Sequence, residues 1–461
     1  MPVRFRIEDA LLAGTLRKIE QLVRRNGGRT WLVGGCIRDL VLGRQPRDLD
    51  LEVAGLLPGQ LHAQLSEQFS VQFVGKAFAV FKLQGLPIDI SIPSCIRSDH
   101  AASIPGLIRQ ADPSMSIDEA LARRDFTINA MAWDPDTREL RDPFNGRDDL
   151  TARILRHVSP QFAEDPLRVL RGMQLSARFE LTAAPETVAL CQTLSQESRP
   201  RERLWEEWKK LLLQGCKPSM GLRFLRDCGW LRFYPELAAL QGCPQDSVWH
   251  PEGDVWIHTL HCLDWFATER TSHDQDDLIV GLGVLCHDFG KPATTKEDDG
   301  RIISRGHESA GEDPTRCFLE RLTNQQDIMD EVMPLVLCHL RPRALYDAKA
   351  SDSAVRRLAR QVQRLDRLVR VARADHAGRP PKPFDGFPAG EWLLNRARQL
   401  EVEHRAPVPI LMGRHLVELG VQPGPEMGRL LDECYEAQLD GEFTTVQEGL
   451  LYAKSKLSAL C

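Results

Sequence analysis

The chain has no apolar run near the roughly 18–20 residues that a membrane-spanning helix needs, which excludes a helical membrane protein. Met1 is followed by Arg4, Arg6, Glu8 and Asp9 and not by the apolar core of an export signal, so a cytoplasmic location is expected. The 12 cysteines contain no Cys-x-x-Cys pair, and Cys36, Cys191, Cys262, Cys286 and Cys338 sit inside helical or apolar runs. They read as reduced, buried thiols and not as a disulfide framework. Aromatic residues make up only 7 % of the chain, but charged residues make up 27 %, which keeps the composition globular and neither disordered nor membranous. No internal repeat or low-complexity tract is visible. A net positive charge is also missing. The total of −6 is unlike that of many nucleic-acid binders, but it conceals local asymmetry. Between Arg341 and Lys382 there are 12 Lys/Arg against 4 Asp/Glu. Arg356, Arg360, Arg364 and Arg367 would line one face of a helix over 356–370, which makes that face a candidate for phosphate contacts.

The 461 residues suffice for about three domains. Residues 7–25 read as an amphipathic helix ended by Gly27-Gly28. Residues 30–150 mix short strands, glycine turns and helices, and from about 151 the apolar spacing becomes helical, as at Leu167, Leu170, Met173 and Ala177. Candidate boundaries are 142–149, 241–254 and 378–390.

Within the mixed region, Trp31-Leu32-Val33 runs into Gly34-Gly35 and then a helix start carrying Arg38 and Asp39. Such a strand–glycine–helix turn can cradle a triphosphate, though it is also an ordinary tight turn. Next comes Arg47-Asp48-Leu49-Asp50-Leu51-Glu52-Val53. In a strand the three acids share one face and the apolar residues the other. Adjacent carboxylates repel unless a cation intervenes, and hard oxygen ligands beside phosphate suit Mg²⁺; alone, the pattern would equally fit a solvated strand face. A second strand, Ile88-Asp89-Ile90-Ser91-Ile92, repeats the alternation. If it lies beside the first, Asp89 becomes the third acid of a two-metal arrangement for in-line phosphoryl transfer. Arg123-Arg124-Asp125 offers cations for a triphosphate or ribose. In Glu164-Asp165-Pro166-Leu167-Arg168, Asp165 reads as a helix N-cap with Pro166 as the first helical residue. Cytosine and adenine both present an amino donor beside a ring-nitrogen acceptor. One carboxylate and one guanidinium, Asp165 with Arg168, match that edge and reject uracil and guanine without a template.

Taken in order, LVGGCIRD, RDLDLEV, RRDFTINAMA, DPFNGRDDL, EDPLRVLRG and RERLWEEWKK resemble the bacterial class II CCA-adding tRNA nucleotidyltransferases and their A-adding, CC-adding and poly(A) polymerase relatives, over about residues 30 to 215. The resemblance implies an α+β protein. A nucleotidyltransferase (polymerase beta-like) sheet domain would span 1–150, helical neck and body 151–248, an HD domain 249–380 and a helical tail 381–461. It implies that Gly34, Gly35, Arg38, Arg124, Asp125, Asp165, Arg168 and Arg171 bind the nucleotide, and that Asp48 and Asp50 hold Mg²⁺ with Asp89 as the third catalytic acid. Glu202, Arg203, Glu207 and Lys210 would match the neck motif that supports the base-reading helix. The implied partners are tRNA, ATP and CTP, with the protein a monomer or homodimer and no membrane involved. Residues 93–118 correspond to the family's flexible loop, with its charges displaced from their usual place. An A-adding or CC-adding enzyme, or a poly(A) polymerase, is therefore the alternative to full CCA addition.

The second half contains WHPEGDVWIHTL, LCHDFGK and RGHESAG within 249–310. Adjacent His287-Asp288, with His258 upstream and His307 downstream, resembles the HD domain fused to enterobacterial CCA-adding enzymes. The resemblance implies a second divalent ion (Mg²⁺, Mn²⁺, Ni²⁺ or Fe²⁺) and a 2′,3′-cyclic phosphodiesterase or phosphatase. His339 and Asp375 are further candidates for that set.

Overall fold

The computed structural model describes residues 5, 7–74, 80–98, 107–196 and 200–458. The chain forms two compact units, residues 1–198 with 223–229 and residues 199–222 with 230–461. Among the described residues no helix is long and apolar enough to cross a membrane.

The first unit opens with α1 (Ala10–Arg25), capped by Asp9, whose side chain accepts from the Leu11 and Leu12 amides. Then follow β1 (Arg29–Val33), α2 (Gly35–Val41), β2 (Leu49–Ala54), α3 (Pro58–Ser66), β3 (Val71–Val74), β4 (Val80–Leu83) and β5 (Ile88–Ser91). β6 (Ser94–Ser98) and β7 (Leu107–Ala111) pair as a separate antiparallel ribbon within the loop region singled out in the sequence, of which Asp99 lies outside the described residues. The remaining elements are α4 (Ile117–Ala122), β8 (Ala132–Trp133), β9 (Leu140–Arg141), α5 (Gly146–Thr151), β10 (Ile154–Leu155), α6 (Arg168–Phe179), β11 (Thr182–Ala183) and α7 (Pro185–Gln192).

Seven strands form one sheet in the order β3-β4-β5-β2-β1-β8-β9, with β2 and β5 parallel. Leu49, Leu51, Val53, Ile88 and Ile90 are fully buried and pack with Leu12, Leu16, Ile19 and Val23 of α1. Their neighbours in the alternation, Asp50 and Asp89, turn to the opposite face.

The unit continues past residue 150 because the next segment is tied back into it. The Thr127 amide donates to Arg156 O at 2.9 Å, and β10 pairs in parallel with β11. Gly146 lies so close to Thr127 that a Cβ there would meet its carbonyl oxygen at 2.0 Å, which only glycine permits.

The second unit is helical, beginning with α8 (Arg201–Gln214). Glu207 of α8 is buried and its carboxylate meets Lys210 Nζ at 2.9 Å, whereas Glu202 and Arg203 are exposed. Near the chain end, Leu411, Leu416, Met427, Leu430, Cys434 and Phe443 form a small separate core.

The continuous basic helix expected over 356–370 is not formed. Gln363 adopts φ 62° and separates a helix Asp352–Val362 from a helix Leu365–Ala377. Three of the four arginines expected to meet phosphate are paired with acids within the unit. Arg360 pairs with Glu436 at 2.5 Å, Arg364 with Asp366 at 2.8 Å and Asp276 at 3.2 Å, and Arg367 with Asp276 at 2.6 Å and Glu331 at 2.7 Å. Arg356 donates to Leu439 O at 3.2 Å. Apart from Asp366, which adjoins Arg364, the acids that hold these cations are remote in sequence, so a local charge count could not reveal them.

Candidate functional site

The first site lies on the polar face of the sheet. Parallel pairing sets Asp50 directly beside Asp89, so the second strand does lie where a third acid would be needed. Asp48 stands exposed just before β2. Three carboxylates in one place repel, and the surrounding cations answer that repulsion. Lys82, opposite Asp89 on β4, reaches its carboxylate at 3.0 Å. Arg124 reaches Glu52 at 3.1 Å. Burial raises the Asp50 carboxyl above its usual range; Arg124 opposes that shift, and Asp48 and Asp89 add to it.

Gly34 closes the site. Its φ of +75° is left-handed, and a Cβ there would fall 2.7 Å from Arg124 Nη1 and 3.3 Å from Asp50 Oδ2. The turn therefore brings bare backbone between a carboxylate and a guanidinium, the space a triphosphate needs. Gly35 begins α2, and Arg38 from that helix is buried, donating to Asn129 Oδ1 at 2.6 Å and to Asp39 at 3.0 Å.

Asp125 and Arg171, each expected to contact the nucleotide, bind each other. Arg171 Nη2 lies 2.6 Å from Asp125 Oδ2 and its Nε donates at 2.7 Å. Asn129 and the Phe126 amide also donate to Asp125. Burial alone would raise this carboxyl, but Arg171 and these donors carry it down to about 2. Asp125 therefore positions Arg171, which remains half exposed on the α6 face.

The helix expected to start at Pro166 starts at Arg168. Asp165 is extended at the end of a 3₁₀ turn over Pro160–Glu164, and its carbonyl accepts from the Arg168 amide at 3.0 Å. Its side chain accepts from the Leu167 amide at 3.2 Å, so it caps a turn that precedes the helix. Arg168 is buried and donates to the carbonyls of Gln161 at 2.8 Å and Arg123 at 2.5 Å. Both proposed base-reading groups are thus held by backbone.

The second site is in the helical unit. His258, on the helix Val255–Thr268, His287-Asp288, at the end of Asp274–Cys286, and Asp375, on Leu365–Ala377, converge. His258 Nε2 lies 3.1 Å from Asp375 Oδ1 and 3.9 Å from Asp288 Oδ2, and His287 Nε2 lies 3.2 Å from Asp288 Oδ2. His307 and His339 approach from the other side, with their Nε2 atoms 3.2 Å apart. The chain folds this way locally because the rings of His287, His307 and His339 are each anchored at Nδ1 by the carbonyl three residues earlier, at 2.7, 2.8 and 2.7 Å. An Nδ1–H donor leaves Nε2 as a lone pair aimed inward, the tautomer of a metal ligand. Although fully buried, His287 Nε2 has no hydrogen-bond partner.

The groups around this site are ones the sequence did not single out. His258 Nδ1 meets Glu252 Oε1 at 2.7 Å, and His250 Nδ1 meets the same oxygen at 2.9 Å. Burial would raise Glu252, but these two histidines draw it down to about 2. Cys262 Sγ lies 3.4 Å from His258 Nε2, one helical turn away. Lys291 Nζ lies 2.7 Å from both Asp288 Oδ2 and Gln245 Oε1. The spacing His258-x-x-x-Cys262 was a usable signal for the thiol. Glu252, two residues from His250, carried none. Among the described residues, the clusters in which three or more His, Cys, Asp or Glu ligand atoms lie within 4.8 Å of one another all fall here.

Residues 30–156 match the family model described as the poly(A) polymerase head domain. The chain is 36 % identical over 375 residues to the multifunctional CCA protein of Laribacter hongkongensis, covering 78 % of this chain and 87 % of that one. It is 35 % identical over 424 residues to the multifunctional CCA protein of Xanthomonas euvesicatoria pv. vesicatoria, covering 88 % and 97 %. In fold it is similar to the CCA-adding enzyme of Bacillus stearothermophilus in complex with CTP, at a TM-score of 0.64 and 21 % identity over 96 % of this chain and 98 % of that one. The Thermotoga maritima CCA-adding enzyme complexed with tRNA gives 0.58 and 19 % over 98 % and 97 %.

The Asp125 geometry has a stability consequence with a definite sign. A carboxyl held at about 2 in the fold against an ordinary 3.8 stabilises the folded state above pH 4, and that contribution is lost as pH falls through 2. With Arg171 partly exposed, Asp125→Asn should cost about 1–2 kcal/mol at pH 7 and progressively less towards pH 2. Urea unfolding at several pH values measures it; a pH-independent difference would refute the ion-pair origin.

Proposed function

Because the chain belongs to the multifunctional CCA protein family, we propose that it adds CMP and AMP to the 3′ end of tRNA from CTP and ATP, and that its second site is a metal-dependent phosphohydrolase. The observation that carries the first part is the register that puts Asp50 beside Asp89, with Gly34 and Arg124 closing the same face. The four-part division into head (1–150), neck and body (151–248), HD (249–380) and tail (381–461) belongs to this reading, as does a cytoplasmic location. Buried thiols outside any disulfide support that location: Cys36, Cys262, Cys286 and Cys338.

Asp48, Asp50 and Asp89 suit Mg²⁺. They are oxygen donors of one sign, and Asp50 is held partly out of water with too little cationic compensation. Mg²⁺ bound there would acidify the tRNA 3′-hydroxyl and offset charge on the departing pyrophosphate. The protein's own groups do the rest. Gly34 and Gly35 admit the phosphates against backbone, and Arg38, Arg124 and Arg171 neutralise them from orientations already fixed by Asn129, Glu52 and Asp125. Asp89, half exposed beside Asp50, accepts the hydroxyl proton. Asp165 accepts from the exocyclic amino group of C or A while Arg168 donates to the adjacent ring nitrogen. Because backbone holds both side chains, selection needs no template strand.

At the second site, neutral imidazoles and carboxylates suit Mn²⁺, Ni²⁺, Fe²⁺ or Mg²⁺. His258, His287, Asp288 and Asp375 would hold the ion, which supplies an activated water when bound. Glu252 fixes the tautomer of His258, and Lys291 and Arg379 stand beside the ligands to receive a phosphoester.

With tRNA transcripts lacking CCA and labelled CTP or ATP, Asp50→Asn should lower both CMP and AMP addition by about 10²–10³-fold or more while the protein stays folded. Near-normal turnover would remove the assignment. Asp165→Ala should admit UTP and GTP, losing about 1–3 kcal/mol of discrimination; unchanged exclusion of both would show that the base is read elsewhere. His287→Ala should abolish hydrolysis of a 2′,3′-cyclic nucleotide and leave nucleotide addition intact. Loss of both activities in a folded variant would contradict two independent sites.

A further inference from the structure

Two cavities lie side by side in the helical unit. The smaller, about 220 Å³, is bounded by Asp288, Lys291 and His307. The larger, about 300 Å³, is bounded by Ala372, His376 and Phe387. Trp249, His339, Leu340, Asp375 and Arg379 line both, so one wall serves the two. The smaller cavity falls below the roughly 300 Å³ at which small-molecule sites begin, and it has room for little beyond a phosphoester group. A ligand whose phosphate meets Lys291 and Arg379 there has the larger cavity in which to place the rest of itself.

The shared wall carries one residue that packing does not explain. Of the nine tryptophans, Trp249 alone is exposed, at 64 %, and the other eight are buried or half-buried. An indole in water loses the hydrophobic gain that burial would bring, and at a cavity mouth a ligand can supply the cover. Its backbone is tied down on both sides. The Trp249 amide donates to Asp246 O at 3.1 Å, and its carbonyl accepts from Lys382 Nζ at 3.1 Å. The same ammonium lies 5.4 Å from the indole centroid. Across the larger cavity Phe387 is buried against His376, with ring centroids 5.3 Å apart. At its rim Arg343 donates to Asp347 at 2.7 Å. Aromatic and aliphatic walls with a polar rim fit a flat heteroaromatic ring with a polar edge better than they fit an aliphatic chain.

We propose that Trp249 is the base platform of this centre: the nucleobase of a nucleoside phosphoester stacks on the indole in the larger cavity while its phosphate sits by Lys291 and Arg379 in the smaller. The inference rests on the reading of this centre as a phosphohydrolase and names the residue that selects its substrate. Every base has a π-face, so the platform separates nucleotides from base-free phosphoesters and does not read sequence.

The test uses the full chain with Mg²⁺, Mn²⁺ or Ni²⁺ and two cyclic phosphodiesters, adenosine 2′,3′-cyclic phosphate and glycerol 1,2-cyclic phosphate, which has no base. The unaltered chain should prefer the nucleotide. Trp249→Ala should lower kcat/KM for the nucleotide by about 5–100-fold, through KM and not kcat, because a stack remote from the reacting bond is the same in ground and transition states. Turnover of the glycerol ester should change by less than about twofold, and Trp249→Phe, which keeps a ring, should recover most of the loss. Equal losses on both esters would overturn the platform and leave Trp249 a structural support, and an unchanged KM for the nucleotide in Trp249→Ala would overturn it as well. No hydrolysis of either ester by the unaltered chain would overturn the phosphohydrolase reading and this one with it. Fluorescence gives a readout independent of turnover. Adenosine 2′-phosphate, a ring-opened product, should quench the exposed indole, and Trp249→Phe should remove that quenching. Quenching of the same size in the variant would place the base elsewhere.

Discussion

The parallel pairing of β2 with β5 is the constraint on which the sheet-domain chemistry depends. Side chains alternate along a strand, so the register that seats Leu49, Leu51, Ile88 and Ile90 in the core also sets Asp50 beside Asp89 on the other face. A slip by one residue would bury both acids and expose four large aliphatics. The hydrophobic core thus specifies the spacing of the carboxylates, and the carboxylates, which repel, need the core to hold them together. Gly34, one strand away, extends the same logic: the backbone approaches so closely that no side chain fits between Asp50 and Arg124.

Around that face each arginine is held before any ligand arrives. Arg38 is fixed by Asn129 and Asp39, Arg124 by Glu52, Arg171 by Asp125, and Arg168 by two carbonyls. A guanidinium is planar and offers five donors, so one edge can be tied to the protein while its charge still serves the site. Fixing these long side chains in advance removes the rotamer entropy that a bound triphosphate would otherwise have to overcome.

The helical unit reaches its site by a different route. Three of its histidines are aimed by the carbonyl three residues earlier, a local device that needs no partner strand. His258 instead depends on Glu252 for its orientation. The same unit shows how charge can mislead. The arginines at 360, 364 and 367 look like a phosphate-binding face in the sequence, yet Glu436, Asp276 and Glu331 neutralise them from elsewhere in the fold.

What the sequence determined by itself was local and periodic. The alternation of Asp48 to Val53, the glycine turn at 34–35, the adjacent His287-Asp288 and the helical spacing after 151 fixed the elements and named most of the site residues, because strand and helix periods are written in consecutive residues. The tertiary structure decided what depends on partners distant in the chain. It turned Asp125 into the anchor of Arg171, moved the start of α6 from Pro166 to Arg168, broke the basic helix at Gln363, and brought Glu252 and Cys262 to the second centre. A carboxylate or an imidazole has no local pattern that announces its partner. Packing fixes which opposite charge or lone pair it meets, and only there does the cost of leaving it unpaired take effect.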